Sequence, residues 1–169
     1  TALHRAALHG HSTVVEKLLQ ARAIVEQRDA DGLSAVFLAA FSGHVSVVSL
    51  LAGAASAAGG QDITEAEDSK GAGILQWAVS QGHLGLVQHL IDRHGAKLLS
   101  KRDQTGGGSI SAAATVGHPG MVEQLLASGA DADEADVNGA RPLHWAAFHG
   151  HAAVAKVLLE RKADVSARD

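Results

Sequence analysis

The chain has 169 residues, enough for one ordinary domain or one short repeat array. Its formal net charge of −4 argues against general attraction to nucleic acid or to an anionic membrane, and no stretch has the length and apolarity of a membrane span. It contains no cysteine, which excludes disulfides and thiolate metal sites and suits a reducing compartment, so we expect a location in the cytoplasm or the nucleus.

The dipeptide Gly-His recurs along the chain and marks a repeat. It begins at Gly10, Gly43, Gly82, Gly117 and Gly150, in steps of 33, 39, 35 and 33 residues. Fourteen residues before each of these glycines, from the second onward, stands an Asp-x-x-Gly sequence, which is typical of a turn. Periods of this length indicate an array of small units, each of which packs on its neighbours.

Each repeat contains two short apolar segments, one on either side of Gly-His. Alanine stands four residues before every one of these glycines, and leucine stands eight residues after each. Within a segment the apolar residues are three and four apart, which places them on one face of a helix. Glycine ends the first helix because it adopts the left-handed conformation without steric cost, and Pro119 suits the first turn of a second helix. The pattern therefore predicts pairs of helices.

The landmarks predict a single domain over 1–169 that is divided into five units. The units are 1–28, which is truncated at its start, 29–67, 68–102, 103–135 and 136–168, while Asp169 opens a sixth. Six extra residues lie within 53–67 and two within 92–102, where we expect loops. Because neither end has an evidently polar capping unit, we expect further repeats or domains to flank this piece.

Two segments carry a recognisable signature. Thr1–Ala7 reads Thr-Ala-Leu-His-Arg-Ala-Ala, and Arg141–Ala147 reads Arg-Pro-Leu-His-Trp-Ala-Ala. Both resemble the Thr-Pro-Leu-His-x-Ala-Ala signature of ankyrin repeats, and Leu125–Asp131 resembles the family's Leu-Leu-x-x-Gly-Ala-Asp tail. The resemblance implies an all-α ankyrin-repeat solenoid of stacked helix–turn–helix units with hairpin-like loops. In the middle three units other residues replace the signature histidine: Phe37, Gln76 and Ser111.

Motifs for catalysis, cofactors and metals are missing from the sequence. It has no Gly-x-Ser-x-Gly elbow, no phosphate-binding loop and no His-Glu-x-x-His. Gly106–Gly108 lacks the lysine and the preceding strand that a phosphate loop needs. Five of the eleven histidines belong to Gly-His, and His4, His9 and His11 lack the spacing of metal ligands on one helix. We therefore expect no enzyme activity, no catalytic residue, no metal and no cofactor.

The ankyrin resemblance implies a function in protein recognition, through the concave groove of the inner helices and the loop tips. We expect a protein or peptide partner, no nucleic acid and no direct membrane insertion. A first alternative is a regulatory or substrate-recruiting segment of a larger enzyme or channel. A second is a small-ligand or metal-binding module.

Aromatic residues are rare, and four of the five fall in two columns of the repeat. Trp77 and Trp145 stand five residues before the Gly-His glycine, and Phe41 and Phe148 stand two before it. In ankyrin proteins both columns lie on or near the groove. Packing and binding are equally open for the tryptophans, whereas binding is favoured for the phenylalanines. We expect aromatic anchors toward each end and a flat middle around Thr115 and Val116. Further candidates are polar groove and loop-tip residues: Ser42, Lys70, Ser80, Gln81, Gln104, Thr115, Asn138 and His149.

Charged residues cluster in three segments between the repeats. The segments 62–68 and 131–136 are acidic, and 93–102 is basic. The favoured interpretation is solvated loops that keep the chain soluble. The alternative is a striped edge that selects and orients a partner of complementary charge.

Overall fold

The computed structural model of the chain describes residues 1–60, 62–63 and 65–168. This part contains eleven helices, no strand and two isolated antiparallel bridges. The helices are α1 (Ala2–Leu8), α2 (Ser12–Gln20), α3 (Ala35–Phe41), α4 (Val45–Ala57), α5 (Ile74–Ser80), α6 (Leu84–His94), α7 (Ala96–Leu99), α8 (Ser109–Val116), α9 (Pro119–Ala127), α10 (Pro142–Phe148) and α11 (Ala152–Glu160).

The helices form five pairs, and the pairs stack in chain order. The pairs are α1/α2, α3/α4, α5/α6, α8/α9 and α10/α11, and they are called the first to the fifth pair below. The first helix of each pair is called its leading helix. The leading helices pack side by side, α1 on α3, α3 on α5, α5 on α8 and α8 on α10. Ala39, Ala78 and Ala113 are fully buried between them, and these small side chains let the helices approach closely. Each pair is thus covered by its neighbours, and the predicted all-α solenoid is confirmed.

At three junctions the histidine of Gly-His couples its pair to the preceding one. At Gly43 the backbone φ is +74°, and a Cβ there would come within 2.6 Å of the His83 ring. His83 Nε2 donates a hydrogen bond to the carbonyl of Phe41, at 2.7 Å. The same bond recurs at two further junctions, from His44 to Leu8 at 3.1 Å and from His151 to Thr115 at 3.0 Å. The glycine therefore turns the chain and also leaves room for the histidine of the following repeat.

The signature histidine stands six residues before the Gly-His glycine. In the third pair glutamine replaces it, and this glutamine still links its helix to the loop that follows the pair. Gln76 Oε1 accepts the N–H of Gly73 at 2.9 Å, and Gln76 Nε2 donates to the carbonyl of Gly107 at 2.7 Å. In the first pair His4 Nε2 reaches the carbonyl of Leu33 at 3.1 Å. The glutamine amide thus makes the bonds that the histidine ring makes elsewhere.

Two residues at the position of the signature histidine make no such link. Phe37 is an apolar core residue that is 1 % exposed. The hydroxyl of Ser111 is too short to reach the next loop, and its buried Oγ has no hydrogen-bond partner among the described residues. The second and fourth pairs therefore lack a side-chain connection that the other pairs have.

Both inserted segments contain helix where the sequence predicted loops. Helix α4 continues to Ala57, so residues 53–57 are helical, because alanine has the highest helix propensity. The second segment includes the short helix α7, which buries Leu98 and Leu99 in the core. The expectation of loops is wrong for these two stretches. Gln61, Thr64 and the predicted sixth unit at Asp169 lie outside the described residues, and the unit boundaries stay a prediction.

Candidate functional site

Trp77 lies among aromatic residues of the preceding pair. Its ring is edge-on to Phe37 and Phe41, with ring centroids 5.9 and 6.0 Å away. Its Nε1 donates a hydrogen bond to Asp68 Oδ2 at 2.9 Å, which ties α5 to the turn before it. The ring and its N–H are therefore both occupied within the molecule. The sequence left both packing and partner binding open for Trp77, and these contacts favour packing.

Trp145 holds the same position in the fifth pair but has different neighbours. Its ring is edge-on to Phe148 and stacked on His149, with centroids 6.3 Å away in both cases. Phe148 is 79 % exposed, whereas Phe41 is 42 % exposed. Among the described residues no hydrogen bond joins Trp145 to Asp136, the counterpart of Asp68. The fifth pair therefore presents an accessible aromatic group at its groove face.

A pocket of about 330 Å³ lies beside Trp145, between the third and fifth pairs. Ala112 of α8 lines it at the position where α5 and α10 carry tryptophan, so the space of one large side chain is open. Thr115 and Val116 also line the pocket. The expectation of a flat middle around these two residues is therefore wrong. The small side chains of α8 produce a hollow, because the neighbouring helices are held at the spacing of the repeat.

The other predicted residues lie at the loop tips or along the groove. Lys70 and Gln104 meet at successive tips, where the Gln104 N–H donates to the carbonyl of Lys70 at 2.9 Å. Asn138 is on the next tip, which is joined to the previous one by the N–H of Val137 and the carbonyl of Thr105, at 2.9 Å. Ser80 lines the pocket with Thr115 and Trp145. Gln81 and His149 are exposed at helix ends, and Ser42 is half-buried.

Several residues of the pocket were not predicted from the sequence as binding residues. Asp103 was interpreted as a turn residue, Asp136 as a turn residue in an acidic segment, and Ser111 as a departure from the signature. Ala112 gave no signal by itself. Its position in the tryptophan column was the available sign, because a small residue between two tryptophans implies a gap.

Ion pairs join the three charged segments to one another. Lys97 and Lys101 of the basic segment contact Glu65 and Glu67, each pair at 2.6 Å, and Arg102 contacts Glu134 at 2.9 Å. These residues therefore neutralise their neighbours along the edge. Such contacts weaken the alternative in which the edge selects a charged partner.

Glu134 is the most buried member of this network. Its side chain lies over Gly108, where any Cβ would overlap its carboxyl group. Burial raises the pKa of Glu134 from its ordinary value of 4.5 to about 7, although the Arg102 guanidinium acts in the opposite direction. Gly108 stands where the family signature has threonine, and Glu134, at the end of the same unit, fills the space beside it.

Comparison with known families identifies the class of protein. The family profile described as ankyrin repeats (3 copies) matches residues 3–102 and 75–169. Because these two matches together cover almost all of the sequence, the chain belongs to the ankyrin repeat family. Members of this family are in general non-catalytic modules of protein–protein interaction. Comparison with curated proteins gave no match. None of the helices in the described ranges is long and apolar enough to cross a membrane.

Proposed function

We propose that this chain binds a protein or peptide partner in the groove formed by α5, α8 and α10 and the adjoining loop tips. The observation that carries the proposal is the open pocket at Ala112, which lies next to the Trp145 ring. Concave pockets with aromatic walls and a few convergent polar groups are the usual places where ligands are held. The cysteine-free composition suits an encounter in the cytoplasm or the nucleus.

The aromatic group of the fifth pair supplies the expected binding energy. Binding energy at protein interfaces is concentrated in a few residues, among which tryptophan is enriched. Phe148 has most of its surface in water, so a partner that covers it gains the free energy of removing apolar area from solvent. Trp145 and His149 support the Phe148 ring from the sides. An extended or helical peptide along the inner helices would contact this group and the pocket together.

A peptide selection tests the proposal, because it does not require that the partner be identified first. Peptides would be selected on the immobilised chain from a random-peptide phage library, synthesised, and titrated by fluorescence anisotropy. Phe148→Ala should weaken binding by about 1–3 kcal/mol, because the partner no longer covers the ring. The control is Lys156→Ala in α11, whose side chain is 76 % exposed and which should leave the affinity unchanged.

Circular dichroism would check that both variants are folded. If Lys156→Ala abolishes binding while Phe148→Ala does not, the working surface is the outer face and the proposal is wrong. A chain that selects no binding peptide at all would also contradict it.

A further inference from the structure

We infer that the pocket beside Trp145 receives an arginine side chain of the partner; this inference rests on the proposed function and names the chemistry of its central contact.

The two aspartates of the pocket have unused acceptor capacity. Asp103 Oδ1 accepts the N–H groups of Thr105 and Gly107 at 2.8 and 3.0 Å. Asp136 Oδ1 likewise accepts two backbone N–H groups, at 2.8 and 3.0 Å. In the part of the chain that the structure describes, no hydrogen bond reaches Oδ2 of either residue. In the third pair the equivalent Oδ2, that of Asp68, accepts the indole N–H of Trp77.

Two hydroxyl groups of the pocket also present oxygen rather than hydrogen. Ser80 Oγ donates its proton to the carbonyl of Trp77, and Thr115 Oγ1 donates to the carbonyl of Ser111, both at 2.9 Å. Ser80 Oγ also accepts a hydrogen bond from Gln81 Nε2 at 3.3 Å and keeps one lone pair, and Thr115 Oγ1 keeps free lone pairs. At the base of the pocket Ser111 is only 5 % exposed, and its Oγ has no hydrogen-bond partner among the described residues. A buried polar group without a partner is costly, so this residue points to a ligand that completes it.

No positive charge balances these acceptors. Of the described residues that line the pocket, none is lysine or arginine. The nearby arginines of the loops have partners of their own, since Arg102 contacts Glu134 and Arg141 contacts Asp133 and Asp164. The pocket therefore combines two carboxylates and several oxygen acceptors with no positively charged side chain. Its electrostatic complement is a cation that carries many N–H groups.

Arginine fits this lining better than lysine does. The guanidinium is planar, carries five N–H donors and stacks on aromatic faces, whereas the ammonium of lysine is a compact and strongly hydrated charge. The Trp145 ring forms one wall, and a cation over an indole face gains an additional electrostatic attraction. The apolar stem of arginine would cover Ala112 and Val116. A volume of about 330 Å³ is large enough to admit one long side chain.

Nuclear magnetic resonance provides a direct test, because the chain has two tryptophans and therefore two indole N–H signals. The probe is N-acetyl-arginine amide, and its neutral counterpart of equal shape is N-acetyl-citrulline amide. Arginine amide should shift the Trp145 signal in a saturable manner and leave the Trp77 signal in place. Citrulline amide and N-acetyl-lysine amide should bind at least fivefold more weakly. Equal binding of either one, or equal shifts of both tryptophan signals, would overturn the inference.

Matched variants separate the carboxylates from the fold. In the double variant Asp103→Asn and Asp136→Asn, the side-chain oxygens still accept the turn N–H groups but the negative charges are lost. Binding of arginine amide should fall at least fivefold. The control is Asp29→Asn, since Asp29 Oδ1 accepts the N–H groups of Asp31 and Leu33 in the same type of turn but lies outside the pocket. Unchanged affinity in the double variant would overturn the inference.

The peptide selection distinguishes this inference from the proposed function. Selected peptides that require Phe148 but contain no arginine, and that bind the double variant normally, would refute the arginine pocket and retain the groove. A Trp145 signal that responds to arginine amide in a chain that selects no peptide would support the pocket chemistry and contradict the proposed function.

Discussion

Trp77 and Trp145 occupy the same position of the repeat, and the residues that face them come from the preceding pair. For Trp77 these are Phe37 and Phe41 of α3. The residues at the same two columns of α8 are Ser111 and Thr115, which line the pocket beside Trp145. The same side chain is therefore a packing residue in one place and a pocket wall in the other. In a stacked array the role of a residue depends on the unit before it as much as on its own unit.

The largest expected effect concerns stability at the two tryptophans. Trp77→Ala removes a ring that is packed on two phenylalanines and hydrogen-bonded to Asp68, so the free energy of unfolding should fall by about 3 kcal/mol. Trp145→Ala should cost about 1 kcal/mol, because its ring borders the open pocket. Urea denaturation followed by circular dichroism measures both values. If both variants lose the same free energy of unfolding, Trp145 is packed as tightly as Trp77 and the described difference between them is wrong.

A second prediction concerns the pH dependence that Glu134 gives the fourth and fifth pairs. Burial raises the pKa of Glu134 to about 7 in the folded chain. Between pH 4.5 and 7 the unfolded chain releases this proton while the folded chain keeps it, so stability declines as the pH rises. Below pH 4.5 Glu134 is protonated in both the folded and the unfolded chain, so its burial does not lower the stability. Above about pH 7 Glu134 is ionised in both states, and the loss of stability caused by its burial is complete.

Glu134→Gln should therefore stabilise the chain at pH 8 and have little effect at pH 4. We expect a gain of about 1–2 kcal/mol at pH 8, since the lost ion pair with the partly exposed Arg102 offsets part of the relief. Urea denaturation at the two pH values measures it. Glu160→Gln, on an exposed side chain of α11, is the control for removing a carboxylate. A gain of the same size at pH 4 would contradict the assigned burial.

The difference between the two tryptophans also predicts that Trp145 can be given an aromatic neighbour like the one that Trp77 has. Thr115→Phe places a ring at the column that Phe41 occupies beside Trp77. An aromatic contact with Trp145 should add about 0.5–1.5 kcal/mol to the free energy of unfolding and fill part of the pocket. Thermal unfolding and peptide titration would show a more stable chain that binds more weakly. A variant that binds as tightly as the parent would mean that the partner does not enter the pocket.

The fold was largely predictable because its determinants are local and repeated. Gly-His predicts a helix end, and the alanine column predicts close helix packing, from the chemistry of the residues themselves. The helical extension to Ala57 was missed since the segment was compared with the repeat period and interpreted as an inserted loop. Its alanine content was the better guide.

The candidate site was less predictable because it depends on contacts between units. The sequence singled out the aromatic columns but could not separate Trp77 from Trp145, because the residues of the preceding pair that distinguish them lie thirty or more positions earlier in the chain. Aligning the units would have placed Phe37 opposite one tryptophan and Ser111 opposite the other. The free Oδ2 atoms of Asp103 and Asp136 could not be predicted from the turn sequence. Asp68 stands in the same turn sequence, and its Oδ2 has a partner only because the indole N–H of Trp77 reaches it.

The most direct test of the central claim is fluorescence quenching of the two tryptophans in the presence of a selected peptide. The single-tryptophan variants Trp77→Phe and Trp145→Phe would each be titrated with acrylamide, with and without peptide. If the groove of the fifth pair binds the partner and Trp77 only packs, peptide should protect Trp145 at least twofold and leave the quenching of Trp77 unchanged. Protection of Trp77 with no change at Trp145 would contradict the account.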